Sequence, residues 1–283
     1  MYVGGMEWVV RGDGNREPGA RKRTGLEDSG ISGGIVQWVR DKLGLEPDEV
    51  QARLLEAPGK RVLLNCTRQW GKSTIAAAKA VHSAYFQSRS LILVVAPTER
   101  QSGELIRKGE EFAGRLGVRV KRDGRNANSL EFPDGSRLVG LPGREATIRG
   151  FSRVSLVVID EAARVEDDVY RAVRPMLAVS GGAIWLLSTP NGKRGFFWEA
   201  WARGGEIWER VKVTAAECPR ITQEYLEEER RELGDMWFRQ EYFCEFTEAV
   251  SAVFSRELIE RAFTDEVEPL FDGGQGPGAR GPG

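Results

Sequence analysis

Eight consecutive residues, Cys66-Thr67-Arg68-Gln69-Trp70-Gly71-Lys72-Ser73, have the spacing of a loop that wraps a polyphosphate, with cysteine in place of the first glycine. Such a loop turns backbone N–H groups inward, sets the unpaired donors of a helix N-terminus behind them, and bridges the terminal phosphates with a flexible ammonium. Gly71 has no Cβ to block close approach, Lys72 brings the ammonium to the β- and γ-phosphates, and the Ser73 hydroxyl suits Mg²⁺. Arg68, Gln69 and Thr74 complete the stretch expected to touch a nucleotide. Cys66 is small enough for its position. The alternative reading of the same letters is a Gly-Lys-Ser helix start without a ligand.

A second constellation is Val154-Ser155-Leu156-Val157-Val158-Ile159-Asp160-Glu161, a β-branched run that ends in two acids. Asp160 suits the shell of a Mg²⁺ ion, and Glu161 suits orienting and deprotonating an attacking water. Read alone, the pair is also an acidic cap on the helix that follows. A third run, Ala183-Ile184-Trp185-Leu186-Leu187, leads into Ser188-Thr189-Pro190-Asn191-Gly192. Hydroxyls at the end of a central strand can contact the γ-phosphate or its water, although Ser-Thr-Pro-Asn-Gly is also ordinary turn chemistry.

The elements around these residues come in the order the chemistry needs. Arg61-Val62-Leu63-Leu64-Asn65 is a short strand ahead of the loop, and Thr74 to Gln87 is an Ala-rich helix behind it. Leu91 to Ala96 is a second buried strand, followed by a helix from Thr98 to about Leu116. Helices are expected near Ile35 to Leu43, Asp48 to Ala57, Val169 to Ala178 and Thr222 to Leu233, the last strongly acidic. Ser129 to Leu141 reads as a hairpin around Pro133-Asp134-Gly135-Ser136, and Ile207 to Val213 alternates like a later strand. Continuous apolar strands separated by helices imply a doubly wound, mainly parallel α/β sheet with helices on both faces. Open sheets of that kind place ligands at the carboxyl ends of their strands, where all three constellations lie.

Taken in order, Arg68 to Ser73, Ile148-Arg149-Gly150-Phe151-Ser152, Val157 to Ala162, Arg174-Pro175-Met176-Leu177 and Leu187-Ser188-Thr189-Pro190 resemble the ordered motifs of the large terminase subunit of tailed bacteriophages. The resemblance runs from about Leu45 to about Phe263, and Gln240 to Phe246 with Ala252 to Ser255 resembles the passage towards a nuclease domain. It implies a RecA-like (ASCE) P-loop NTPase that uses ATP and Mg²⁺ to drive double-stranded viral DNA into a procapsid. Implied partners are the portal protein, the small terminase subunit and a homo-oligomeric ring on the portal. Gln51 matches a glutamine that reads adenine, and Arg68 an arginine that stabilises charge or acts as a conformational sensor. Arg149 matches the region that supplies an arginine finger to a neighbouring subunit, with Arg144 as its competitor. Ser188 and Thr189 match the motif that couples hydrolysis to movement. The family continues into a metal-binding nuclease for which little chain remains after Phe254, so DNA cleavage is not expected of these residues. Readings from outside this resemblance are a helicase-type translocase and a nucleotide-binding assembly or remnant module without turnover.

The organisation expected on these grounds is a Gly- and Arg-rich arm over residues 1–30, an ATPase domain over 31–246, a linker and nuclease start over 247–272, and a Gly-rich tail over 273–283. The net charge is −1, from 41 Lys and Arg against 42 Asp and Glu, so no global basic field announces a nucleic acid. DNA contact must then be local, and Arg119, Lys121, Arg122 and Arg125 are the candidates, with Arg21-Lys22-Arg23 as a second cluster. The 3 cysteines, Cys66, Cys218 and Cys244, are widely separated and odd in number, which suggests a reducing compartment. With no apolar run of membrane-spanning length, a cytoplasmic location without membrane contact is expected.

Overall fold

A computed structural model describes residues 34–57, 59–122 and 128–248. The arm at 1–30, Arg125 and the stretch from 249 onward lie outside these residues. The elements, in chain order, are α1 (Ile35–Leu43), α2 (Glu49–Glu56), β1 (Arg61–Cys66), α3 (Lys72–Phe86), β2 (Leu91–Ala96), α4 (Glu99–Arg115), β3 (Ser129–Glu131), β4 (Arg137–Pro142), α5 (Glu145–Ile148), β5 (Leu156–Asp160), α6 (Asp167–Val173), β6 (Ala183–Ser188), α7 (Gly195–Arg203), β7 (Glu209–Val213), α8 (Gln223–Leu233) and α9 (Asp235–Tyr242).

Seven strands form one sheet in the order β3-β4-β2-β5-β6-β1-β7. The β3–β4 pair is the expected hairpin and is antiparallel, while the remaining pairs are parallel. Alternation along the buried strands sends side chains to two separate apolar layers. Val62, Leu64, Ile92, Val94, Val158 and Trp185 join the layer under α1 to α4. Leu63, Leu93, Val157, Ile159, Ile184 and Leu186 join the layer under α6 and α7. Because β6 pairs with both β1 and β5, the loop after β1 and the acids after β5 are held one strand apart at the same sheet edge.

Local chemistry sets the element ends. Asp48 caps α2 by accepting from the Gln51 N–H at 2.8 Å, and the Gln51 side chain accepts in turn from the Asp48 N–H. Pro175 lacks an N–H, so the helix expected to run to Ala178 leaves α geometry after Val173 and tightens into a 3₁₀ turn over Arg174–Leu177. Lys121 makes an isolated antiparallel bridge to Glu131. Helices α7 and α9 were not expected from periodicity: α7 is crowded with aromatic residues, and Gly234 separates α9 from α8. Beyond α9, Phe246 sits among Phe197, Trp198 and Trp201 of α7, and Lys193 bonds the Thr247 carbonyl at 3.1 Å and Glu248 at 2.6 Å. Among the described residues no helix is long and apolar enough to cross a membrane.

The sole histidine, His82 on α3, meets Trp38 of α1 edge-to-face at 5.0 Å and Phe86 at 4.6 Å. Burial, with Lys79 adding to it, lowers its pKa from 6.5 to about 4. Between those values the unfolded chain binds a proton that the folded chain refuses. This contribution to stability is therefore complete above the unfolded pKa and is lost as pH falls towards the folded one. Urea midpoints measured near neutrality and at about pH 4.5 should differ by about 2 kcal/mol more in the wild-type chain than in His82→Phe, after discounting for residual exposure.

Candidate nucleotide site

The carboxyl ends of β1, β6 and β5 lie side by side, and each delivers one of the constellations. After Cys66 the chain turns through Gln69 at φ 64° and Gly71 at φ 101°, then enters α3 at Lys72. Only glycine adopts the second value without strain. The N–H groups of Thr74 and Ile75 both turn back to the Gly71 carbonyl, at 3.0 and 3.1 Å, so the first donors of α3 stay directed out of the helix end. Cys66 is the last residue of β1 and fully buried, and burial pushes its thiol pKa up, so it packs as an apolar side chain beneath the loop. Thr67 ties the loop on both sides, its N–H to the Val213 carbonyl at 2.9 Å and its hydroxyl to the Glu241 carbonyl at 3.2 Å.

Charge is organised around two carboxylates. Lys72 Nζ lies 3.4 Å from Glu161 Oε1, and Ser73 Oγ donates to Asp160 Oδ2 at 2.9 Å. Burial works against the Lys72 ammonium, but Glu161 and Asp160 outweigh it and hold its pKa above the ordinary value. Burial raises the Asp160 pKa, with Lys72 opposing it. Glu161 adopts φ 51°, a left-handed conformation uncommon for a residue with a Cβ, and sits over the start of a 3₁₀ turn, Ala162–Arg164. That turn returns Arg164 to Glu161 Oε2 at 3.0 Å. The same guanidinium reaches Thr189 Oγ1 at 3.1 Å and Glu241 Oε1 at 2.7 Å. Glu241, on α9, also accepts from Arg68 Nε at 2.9 Å and from Thr189 Oγ1 at 3.1 Å.

The structure thus brings together Arg68, Lys72, Ser73, Asp160, Glu161 and Thr189. Gln69 is exposed and lines a cavity of about 900 Å³ with Arg68, Arg164, Arg220, Tyr225 and Trp237, between the loop and α8–α9. Other expected residues stand elsewhere. Thr74 turns towards α4 and accepts from Lys108 Nζ at 2.9 Å. Ser188 accepts from the Ala163 N–H at 3.2 Å and so fixes the turn after Glu161. Gln51, expected to read a base, is engaged at both ends of its amide: Nε2 donates to the Trp70 carbonyl at 2.9 Å while Oε1 holds the Asp48 N–H, so in this state it braces the loop. Arg149 pairs with Glu145 one turn back and lines a surface cleft with Phe151, Arg153 and Met176. Of the proposed DNA contacts, Arg122 pairs with Glu110 at 3.0 Å and Lys121 takes part in the β-bridge, so both are bound into the α4–β3 surface.

Sequence reasoning missed Arg164, Arg220 and Glu241. The i, i+3 spacing of Glu161 and Arg164 was the available signal for the first. Arg220 bonds the Trp70 carbonyl beside Gln51, and nothing near it in sequence announces that contact. Glu241 is a small anion facing two guanidinium groups, its side chain 10% exposed against 62% for Arg68 and 27% for Arg164. Glu241→Gln leaves those cations facing a neutral amide. Urea unfolding should register a loss of about 2 kcal/mol with unchanged m-value, below the full cost of a broken buried pair because Arg68 is largely solvated.

With this geometry in hand, comparison with known proteins is direct. The chain matches the family described as terminase large subunit, T4likevirus-type, N-terminal, over residues 63–261. It is 27% identical over 249 residues to the terminase large subunit of Thermus virus P23-45, covering 75% of this chain and 51% of that protein. For the terminase large subunit of Escherichia phage T5 the identity is 26% over 230 residues, covering 77% and 52%. The chain therefore spans about half the length of these relatives. Among solved structures it is similar to the large terminase ATPase domain of Thermus phage P74-26, with a TM-score of 0.67 and 26% identity, covering 74% of this chain and 97% of that one. The large terminase of a thermophilic bacteriophage, solved in complex with ADP, shares the fold at a TM-score of 0.61 and 14% identity, covering 71% and 54%. A β1–β6–β5 core with its loop and acids at one edge is the RecA-like P-loop arrangement, and the chain belongs to the T4likevirus-type terminase large-subunit family, in its N-terminal part.

Proposed function

We propose that this chain is the ATP-hydrolysing part of a viral DNA-packaging motor. The observation that carries the proposal is the pair of contacts at the loop mouth, Lys72 on Glu161 and Ser73 on Asp160, which sets an ammonium, a hydroxyl and two carboxylates around one point. A fold relative solved with ADP and with ATP-γ-S adds support. The Ser73 hydroxyl and the Asp160 carboxylate are hard oxygen donors already side by side, and such donors suit Mg²⁺, which when bound would offset phosphate charge.

A triphosphate seated on the loop meets the free donors of α3, and Lys72 turns from Glu161 to the β- and γ-oxygens. Glu161, still held by Arg164, accepts a proton from a water as that water's oxygen bonds to the γ-phosphorus. The bond from the γ-phosphorus to the bridging oxygen breaks, its electron pair stays with ADP, and inorganic phosphate leaves. Thr189, bonded to Arg164 and Glu241, and Ser188, bonded under the same turn, are placed to pass the change to α9. Gln51 would reach an adenine only on releasing Trp70 or Asp48. Arg149, 73% exposed, is assigned as the finger offered to a neighbouring copy. Duplex viral DNA, the portal protein, the small subunit, a ring of copies and the host cytoplasm belong to the same proposal. So does the expectation that these residues do not cleave DNA.

Glu161→Gln should bind ATP and hydrolyse it about 10²–10⁴ times more slowly, whereas Lys72→Ala should lose ATP binding in a direct titration. If the wild-type chain binds ATP yet turns it over no faster than Glu161→Gln, the chain is a nucleotide-binding module that does no work. Arg149→Ala alone should be slow, and mixing it with Glu161→Gln should restore part of the rate by pairing an intact finger with an intact base. If mixing restores nothing while Arg144→Ala behaves as Arg149→Ala was expected to, the finger is Arg144.

A further inference from the structure

At the opposite edge of the sheet from Lys72, the amino ends of β1 and β6 meet the 3₁₀ turn after α6. Lys60, Arg61, Arg171 and Arg174 line a cleft of about 650 Å³ there, and no carboxylate lines it. Leu177, Ala178 and Ile184 form an apolar floor. Arg171 is partly neutralised by Asp168 at 2.7 Å, whereas Lys60, Arg61 and Arg174 make no ion pair among the described residues. Arg174 is held in place 5.7 Å over the ring of Tyr170, which stacks on Phe196 at 4.6 Å. A second hollow of about 480 Å³ shares Arg61, Arg171 and Arg174, adds Asp167, Glu199 and Arg203, and continues to Ile207. Ile207 at 63% and Val179 at 81% exposure are the two most exposed large apolar side chains among the described residues, and Val179 follows directly on the cleft residue Ala178.

Cations that outnumber the carboxylates beside them raise the local potential, which attracts an anionic partner. The apolar floor decides what kind. A phosphate backbone would satisfy the cations and leave the floor, Val179 and Ile207 in water. A protein segment in which carboxylates alternate with apolar side chains satisfies the rim and buries the floor together, in the manner of an anchored interface. We propose that this cleft docks an acidic protein segment with apolar anchor side chains, on a surface separate from the nucleotide site.

Fluorescence anisotropy on the full chain tests this with three labelled probes: a synthetic peptide of Glu and Asp alternating with Leu and Phe, a peptide of equal charge with Ser in place of Leu and Phe, and a short DNA duplex. The first probe should bind, and Lys60→Glu with Arg174→Glu should weaken it by about tenfold or more, on the order of 1.4 kcal/mol, with ATP binding unchanged. Added salt should weaken it further, and Val179→Ser should weaken it without changing the salt dependence. If charge reversal abolishes the thermal transition, Lys60→Gln and Val179→Ser carry the same test in a folded chain. Equal binding of the serine peptide would overturn the proposal. So would duplex binding that is lost with Lys60 and Arg174, which would make this a nucleic-acid site, or peptide binding indifferent to every variant.

Discussion

Charge alternates without interruption around the loop mouth: Lys72, Glu161, Arg164, Glu241, Arg68. Arg68 and Lys72, the two cationic ends of the series, lie on the same short loop, so Gln69, Trp70 and Gly71 close the ring through backbone. The closure has a physical reason. Burying one carboxylate or one ammonium beside a sheet edge is costly, and each charge here lowers the cost of its neighbours. A ring of this kind cannot give up one pairing without disturbing the next. An anion drawn to Lys72 competes with Glu161, and Glu161 is shared with Arg164, whose other partners are Thr189 and Glu241.

Strand order makes that ring possible. The loop belongs to β1 and the acids to β5, and β6 runs between them with Leu64 opposite Leu187 and Asp160 opposite the same Leu187. A sheet that paired β1 directly with β5 would leave no strand end between them for Thr189. The inserted strand also fixes the height of all three, since parallel pairing sets Cα partners residue by residue. Two apolar layers, one on each face, hold that register because a slip by one residue would exchange them.

Much of this was legible in the letters. The loop, the acid pair, the hairpin and most helices are local patterns, and local patterns survive without tertiary information. Cys66 is instructive, since its lack of a first-glycine match is absorbed by β1 continuing to that residue and burying it. What sequence could not deliver are partnerships between distant residues. Arg68 and Glu241 stand 173 positions apart and Arg164 and Glu241 stand 77 apart, and no spacing rule links them. Residue type also says nothing of the partners Gln51 already has, a capping box with Asp48 and the Trp70 carbonyl. Arg149 is exposed and its partner is Glu145, one turn back on the same short helix.

The chain leaves α9 through Phe246, whose ring is held by three aromatic side chains of α7, and through Lys193, which grips Thr247 and Glu248. A pull on the polypeptide beyond Glu248 therefore does not peel α9 away first. It loads α7 and the turn at Asn191 and Gly192, and Gly192 is bonded to Gln240 next to Glu241. Tension enters the domain two residues from Thr189, at the carboxyl end of the central strand. The aromatic socket around Phe246 thereby ties the chain that leaves the domain to the strand end that carries Thr189.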